Sequence, residues 1–140
     1  MHLDSFSVSG FRSLTDVADI PVSRPTILAG HNDGGKSAVL DALAFLVGEH
    51  VLTDDDRTYQ SVGSDGEQAS PPVRCESTSV TGRFTLDEWE QEQFDLPAQV
   101  EVRRHASVDQ SARLEIWGAQ PDDERLHSLE QLLVPALSGR

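Results

Sequence analysis

Leu3, Phe6 and Val8 are separated by small or polar residues across Met1–Ser9, and that alternation predicts an opening strand. Gly10-Phe11-Arg12-Ser13-Leu14 reads as a turn, and Asp16–Val22, with Val17, Ala18 and Ile20, as a second strand. Pro25-Thr26-Ile27-Leu28-Ala29 is a short apolar run whose proline can open a strand but not interrupt one; it predicts a third strand over Thr26–Ala29. The period then changes. From Ser37 to Val47 the apolar positions Val39, Leu40, Leu43, Leu46 and Val47 follow the i, i+3, i+4, i+7 steps of a buried helix, and Gly48 stands where a helix-ending glycine belongs. Farther on, Ser79–Leu86, Gln99–Arg104 and Ala112–Trp117 alternate again and are rich in β-formers, which predicts an antiparallel meander with one wet face. Thr85 and Glu88 are spaced as a capping box for a short acidic helix. Pro121–Leu137 places Leu126, Leu129, Leu133 and Ala136 on one stripe of an amphipathic helix that needs a partner.

Between the first helix and the meander the pattern lapses. Asp54-Asp55-Asp56-Arg57 reads as a solvated, charged loop, and Ser61–Pro72, rich in Ser, Gly, Gln and Pro, as loop by composition. A stretch of that length without elements is uncommon inside a compact domain unless it has a function. The expected plan is one domain in an α/β class: a core over 1–50, a loop over 51–77, an antiparallel β part over 78–120 and a terminal helix over 121–140. No internal repeat is visible.

Charge and cysteine content narrow the function classes. In 140 residues, Lys and Arg total 11 against 24 Asp and Glu, a net charge of −13. Such a chain is self-repelling and is a poor independent binder of nucleic acid. Cys75 stands alone, so no internal disulfide can form, which suits a reducing compartment. No apolar stretch approaches a membrane span and no basic-then-apolar leader opens the chain, so the expectation is a cytoplasmic protein without a membrane partner.

The chemistry concentrates in Gly30-His31-Asn32-Asp33-Gly34-Gly35-Lys36-Ser37, which fits the phosphate-binding pattern G-x-x-x-x-G-K-[S/T] at every fixed position. By chance, a chain of this length matches that pattern less than about 1% of the time. Glycines let main-chain N–H groups face inward with no Cβ in the way. Lys36 sets a compact cation against β- and γ-phosphates and takes the catalytic role, while the Ser37 hydroxyl can ligate Mg²⁺. Ala38 follows at the helix start, where the N-terminal dipole favours an anion. The expected cofactors are ATP and Mg²⁺.

Those residues resemble a known family. A strand, Gly-Phe-Arg-Ser-Leu, a second strand and then Asn-x-Gly-Gly-Lys-Ser look like the start of an ABC-type ATPase head: a P-loop NTPase fold, here a partial lobe with a strand–P-loop–helix core and an antiparallel meander. The RecF- and SMC-like proteins and the OLD-family nucleases are the most similar groups, and the helix Ser37–Val47 with the run Leu52–Tyr59 looks most like the OLD branch. The resemblance is specific over roughly residues 1–60. It implies that Arg12 lies beside the nucleotide and contacts its phosphates, where a guanidinium can fork across two oxygens. It places Asn32 where the family keeps a small polar residue. His31 and Asp33 depart from the family's usual proline and glycine, and Asp33 sets a carboxylate near a polyanion.

The resemblance also implies parts that are missing here. No apolar strand ends in Asp-Glu, the terminal Leu137-Ser138-Gly139-Arg140 stands too early to be a signature motif, and no nuclease carboxylate cluster is present. Asp122-Asp123-Glu124 reads as the acidic first turn of the last helix. The expectation is therefore an ATP-binding fragment of a RecF/SMC/OLD-like ATPase of DNA repair or phage defence, incomplete for hydrolysis alone. Its expected partner is a second head or the rest of a larger ATPase, with DNA reached only through the full-length protein. The alternative is a regulatory or protein-interaction module that keeps the loop. A small kinase or GTPase fits less well, because antiparallel strands follow the loop helix and no Asn-Lys-x-Asp motif occurs.

Overall fold

The computed structural model describes residues 1–31, 35–60, 72–108 and 110–117. Strand β1 spans His2–Phe11 and turns at Arg12-Ser13 into β2, Leu14–Pro21. Helix α1 covers Lys36–Val47, a 3-10 turn Asp54–Asp56, and a short ribbon pairs β3, Tyr59–Gln60, with β4, Val73–Arg74. Strand β5, Ser77–Thr85, is followed by helix α2, Glu88–Phe94, and by β6, Gln99–Ser107, and β7, Gln110–Trp117. The main sheet is antiparallel, in the order β2-β1-β5-β6-β7, so the expected meander β5-β6-β7 is extended by the chain's first hairpin. This is an α/β fold with one helix laid on an antiparallel sheet.

Alternation decides which face is buried. Phe6 and Val8 of β1, Val80 and Phe84 of β5, and Val100 and Ala106 of β6 point to the α1 side. Ser79, Thr81 and Arg83 share the other face with Glu101, Arg103 and His105, as the register requires. Gly82 is the seat of the helix: a Cβ there would lie 2.7 Å from Leu46 Cδ2 and 2.8 Å from Phe84 Cε2. Only a residue without a side chain lets Leu46 sit this close to the sheet.

The phase of α1 differs from the expected one. Ala38, Ala42, Phe45 and Leu46 are buried, whereas Leu40 and Val47 face outward at 58% and 63% exposure. Small Ala38 and Ala42 allow the helix axis to approach the sheet, and Phe45 then fills the depth beyond them. A pattern read from large apolar residues alone misses that arrangement.

Other expectations also change. No strand forms over Thr26–Ala29, where Ile27 is 82% exposed. The preceding turn is tied to itself, with Ser23 N–H donating to Thr26 Oγ1 at 2.8 Å, and among the described residues no strand lies alongside to complete a ladder. The capping box of α2 sits two residues later than expected, with Asp87 N–H donating to Glu90 Oε2 at 2.9 Å. Thr85 instead donates its hydroxyl to Asp4 Oδ2 at 2.6 Å, across the β1–β5 pair. The terminal helix over 121–140 and the loop over 61–71 lie outside the described residues.

The two sheet edges are unlike. β2 carries exposed Asp16 and Asp19, a left-handed Asp19 (φ 50°), a register shift against β1 and a final Pro21. These features obstruct further pairing. β7 shifts register against β6 between Gln110 and Arg113 and then runs regularly to Trp117, a stretch with no proline and no left-handed residue.

Candidate nucleotide-binding site

The loop before α1 closes on its own lysine. Gly35 adopts a left-handed conformation (φ 81°) that turns the chain into the helix, and Val39 N–H returns to Gly35 O at 3.0 Å to close the first turn. Side chains on a helix lean toward its N-terminus, so Lys36 reaches back over the loop. Its Nζ donates to the carbonyls of Gly30 and His31, each at 2.5 Å. Ser37 is exposed beside it, and Ala38 is turned into the core, leaving only its main chain for a ligand. Asn32, Asp33 and Gly34 lie outside the described residues.

The β1–β2 turn abuts this loop. A Cβ on Gly35 would stand 3.1 Å from Ser13 Oγ, which puts the residue after Arg12 against the end of the loop. Arg12 itself is left-handed (φ 48°) and donates its N–H to Asp56 O at 2.6 Å. Its guanidinium contacts Asp56 Oδ1 through Nε and Nη2, both at 2.8 Å, and reaches Asp41 of α1 through Nη1. It also lies over the Phe11 ring, 5.4 Å from the centroid. The structure therefore brings Arg12 to the margin of the loop with its charge already matched by two carboxylates.

Asp56 is the hub of that cluster and was expected to be solvated. It is 2% exposed, while Asp54 and Asp55 have side chains 88% and 92% exposed. Its second oxygen accepts from His50 Nε2 at 2.8 Å, from Thr53 N–H at 2.9 Å and from the Thr53 hydroxyl at 3.0 Å. A buried carboxylate survives only when so satisfied. Burial alone would raise its pKa, but the bonds from His50, Thr53 and Arg12 outweigh that effect and hold it down at about 2. Burial likewise works against the Arg12 charge, and its bonds to Asp56 and Asp41 overcome it and raise the pKa.

Sequence reasoning missed Asp41, His50, Thr53 and Asp56. One local signal was available: Thr53 and Asp56 stand three apart, the spacing of a cap, and the side-chain bond between them forms. The partnership of Arg12 with Asp41 and Asp56 spans distant parts of the chain and leaves no local trace. Among the described residues no cluster of three or more His, Cys, Asp or Glu side chains could hold a metal ion. No helix among them is long and apolar enough to cross a membrane.

With that geometry, comparison with known proteins is informative. The head domain of SMC from Thermotoga maritima superposes with a TM-score of 0.57 at 22% identity, covering 94% of this chain and 42% of that one. An Smc head bound to the C-winged helix domain of ScpA gives 0.59 at 22% identity, over 94% and 40%. A chain from work on the ATP-driven dimerization and DNA-stimulated activation of SMC ATPases gives 0.58 at 21% identity, over 98% and 80%. These likenesses show a shared fold. Among curated proteins, the mitotic chromosome and X-chromosome-associated protein mix-1 of Caenorhabditis elegans is 33% identical over 97 residues, 63% of this chain. The chain spans only 8% of the length of that relative. The family model described as "Protein of unknown function (DUF2813)" matches residues 1–79, more than half of the sequence, and the chain belongs to that family.

Proposed function

We propose that the chain is the ATP-binding lobe of an SMC-like ATPase, taking Mg-ATP at the Gly30–Ser37 loop. The observation that carries this reading is the Lys36 ammonium at the N-terminus of α1, folded back to lie 2.5 Å from the carbonyls of both Gly30 and His31. Carbonyl oxygens are neutral acceptors. Phosphate oxygens arriving at the same ammonium are stronger partners for it and for the helix dipole. The exposed Ser37 hydroxyl fits a Mg²⁺ ligand on the phosphate side. The remaining loop positions, Asn32, Asp33 and Gly34, complete the cradle in this reading.

Arg12 fits a phosphate contact only by giving up a partner. Asp56 is buried and held from several sides, whereas the Asp41 side chain is 38% exposed, so Asp41 is the one that yields. Lys36, Ser37 and Arg12 surround the phosphates from one side, and phosphoryl transfer needs charge stabilisation on all sides with a positioned water. Turnover therefore requires a second head or the rest of a larger ATPase. The helix Ser37–Val47 and the run Leu52–Tyr59 favour the OLD-type branch within this reading, and with it a role in DNA repair or phage defence.

Thermal shift with Mg-ATP tests the binding. At a ligand concentration of 100 Kd the native state gains about 2.7 kcal/mol. Stabilisation of the wild type that Lys36→Ala abolishes supports the proposal. A wild type indifferent to millimolar Mg-ATP removes it and favours an interaction module.

A further inference from the structure

We infer that β7 is a self-pairing edge through which two copies of this chain join their sheets across a two-fold axis, independently of nucleotide. Among the described residues no strand lies against the outer side of β7, which presents a regular row of main-chain donors and acceptors from Arg113 to Trp117, beyond its register shift against β6. Such an edge is a template for another strand. The side chains specify which one. In an antiparallel pairing centred on Leu114, Arg113 of one copy stands opposite Glu115 of the other, and the symmetry repeats the pair. Both residues lie on the face away from α1, as their pairing with His105 and Arg103 of β6 requires. Opposite charges directly across a strand pair stabilise it, and like charges destabilise it.

Charges within the chain leave this arrangement open. Glu115 has His105 at 3.5 Å, but Arg113 is exposed, faces His105 in the β6 register, and has no carboxylate within 4.0 Å among the described residues. A second copy supplies what Arg113 lacks. On the α1 side the same register sets Leu114 against Leu114 and Ala112 against Ile116. Leu114 and Ile116 are 50% and 49% exposed in the single chain, so pairing merges them into one apolar strip. The axis runs perpendicular to the sheet, which keeps the α1 faces of both copies on one side. An isologous contact of this kind closes at two copies.

Sedimentation equilibrium of the full chain tests it, at concentrations up to about 100 µM because a single edge strand makes a weak interface. The expected result is a reversible monomer–dimer equilibrium, unchanged by Mg-ATP and by Lys36→Ala. Arg113→Glu and Glu115→Arg each set like charges together and weaken association by about tenfold. Mixing those two variants restores a heterodimer, because every facing pair is again opposite in sign, and the double variant R113E/E115R dimerises with itself. Leu114→Lys, which puts two cations on the axis, gives a third disruption should Glu115→Arg disturb the β6–β7 pair. A chain that stays monomeric, as when residues 118–140 cover the edge, overturns the inference. So does a dimer indifferent to all these charges. A dimer that appears only with Mg-ATP and vanishes in Lys36→Ala also overturns it, while leaving the nucleotide reading intact.

Discussion

At Asp56 a single carboxylate ties together the β1–β2 turn, the segment that follows α1 and the 3-10 turn, through Arg12, His50 and Thr53. Replacing it by Asn keeps the shape but leaves Arg12 with the exposed Asp41 alone. Arg12 keeps about a third of its side chain in solvent, so the loss falls below the roughly 3–5 kcal/mol of a fully buried pair and is about 2 kcal/mol. Chemical denaturation of Asp56→Asn should therefore show a loss of that order; a loss below about 1 kcal/mol contradicts the hub described here. The same residue sets an acid limit. Its folded pKa of about 2 lies below the ordinary aspartate value of 3.8, so the native state favours the ionised form. That stability is present above about pH 4 and disappears as pH falls through 2, worth about 2 kcal/mol in all. Denaturation midpoints followed from pH 6 to pH 2 should decline over that window in the wild type and more gently in Asp56→Asn.

Two glycines govern how α1 is held. Gly35 combines a φ of 81° with a Cβ position 3.1 Å from Ser13 Oγ, so Gly35→Ala strains the turn and presses on the neighbouring hairpin. A left-handed alanine costs about 1–2 kcal/mol, and Mg-ATP binding should weaken along with stability. Gly82→Ala drives a methyl into Leu46, and overpacking of this sort costs about 1–3 kcal/mol, read as a lower melting temperature with the loop untouched. Elements of this kind were largely legible from sequence, since β1, β2, α1 and the meander follow periods of two and 3.6. The failures were specific. Alanines, not leucines, set the buried face of α1, and a proline-led apolar run over Thr26–Ala29 forms no strand without a neighbour to pair with.

For the molecule as a whole, local pattern gave the pieces and not their order. That β1 pairs with β5 follows from contacts between residues about eighty positions apart, such as His2 with Thr85, and no window of sequence encodes them. The candidate site shows the same division: the Gly30–Ser37 loop is a contiguous signature, whereas the Asp41–Arg12–Asp56–His50 cluster exists only once the chain has folded. The obstructions along β2 set a ceiling on growth. With acidic side chains, a kinked Asp19 and a terminal proline on that flank, a chain that gains a strand at β7 has, among the described residues of the main sheet, no second open edge to accept another. Concentrated solutions should therefore stop at pairs and not run on into ribbons or gels.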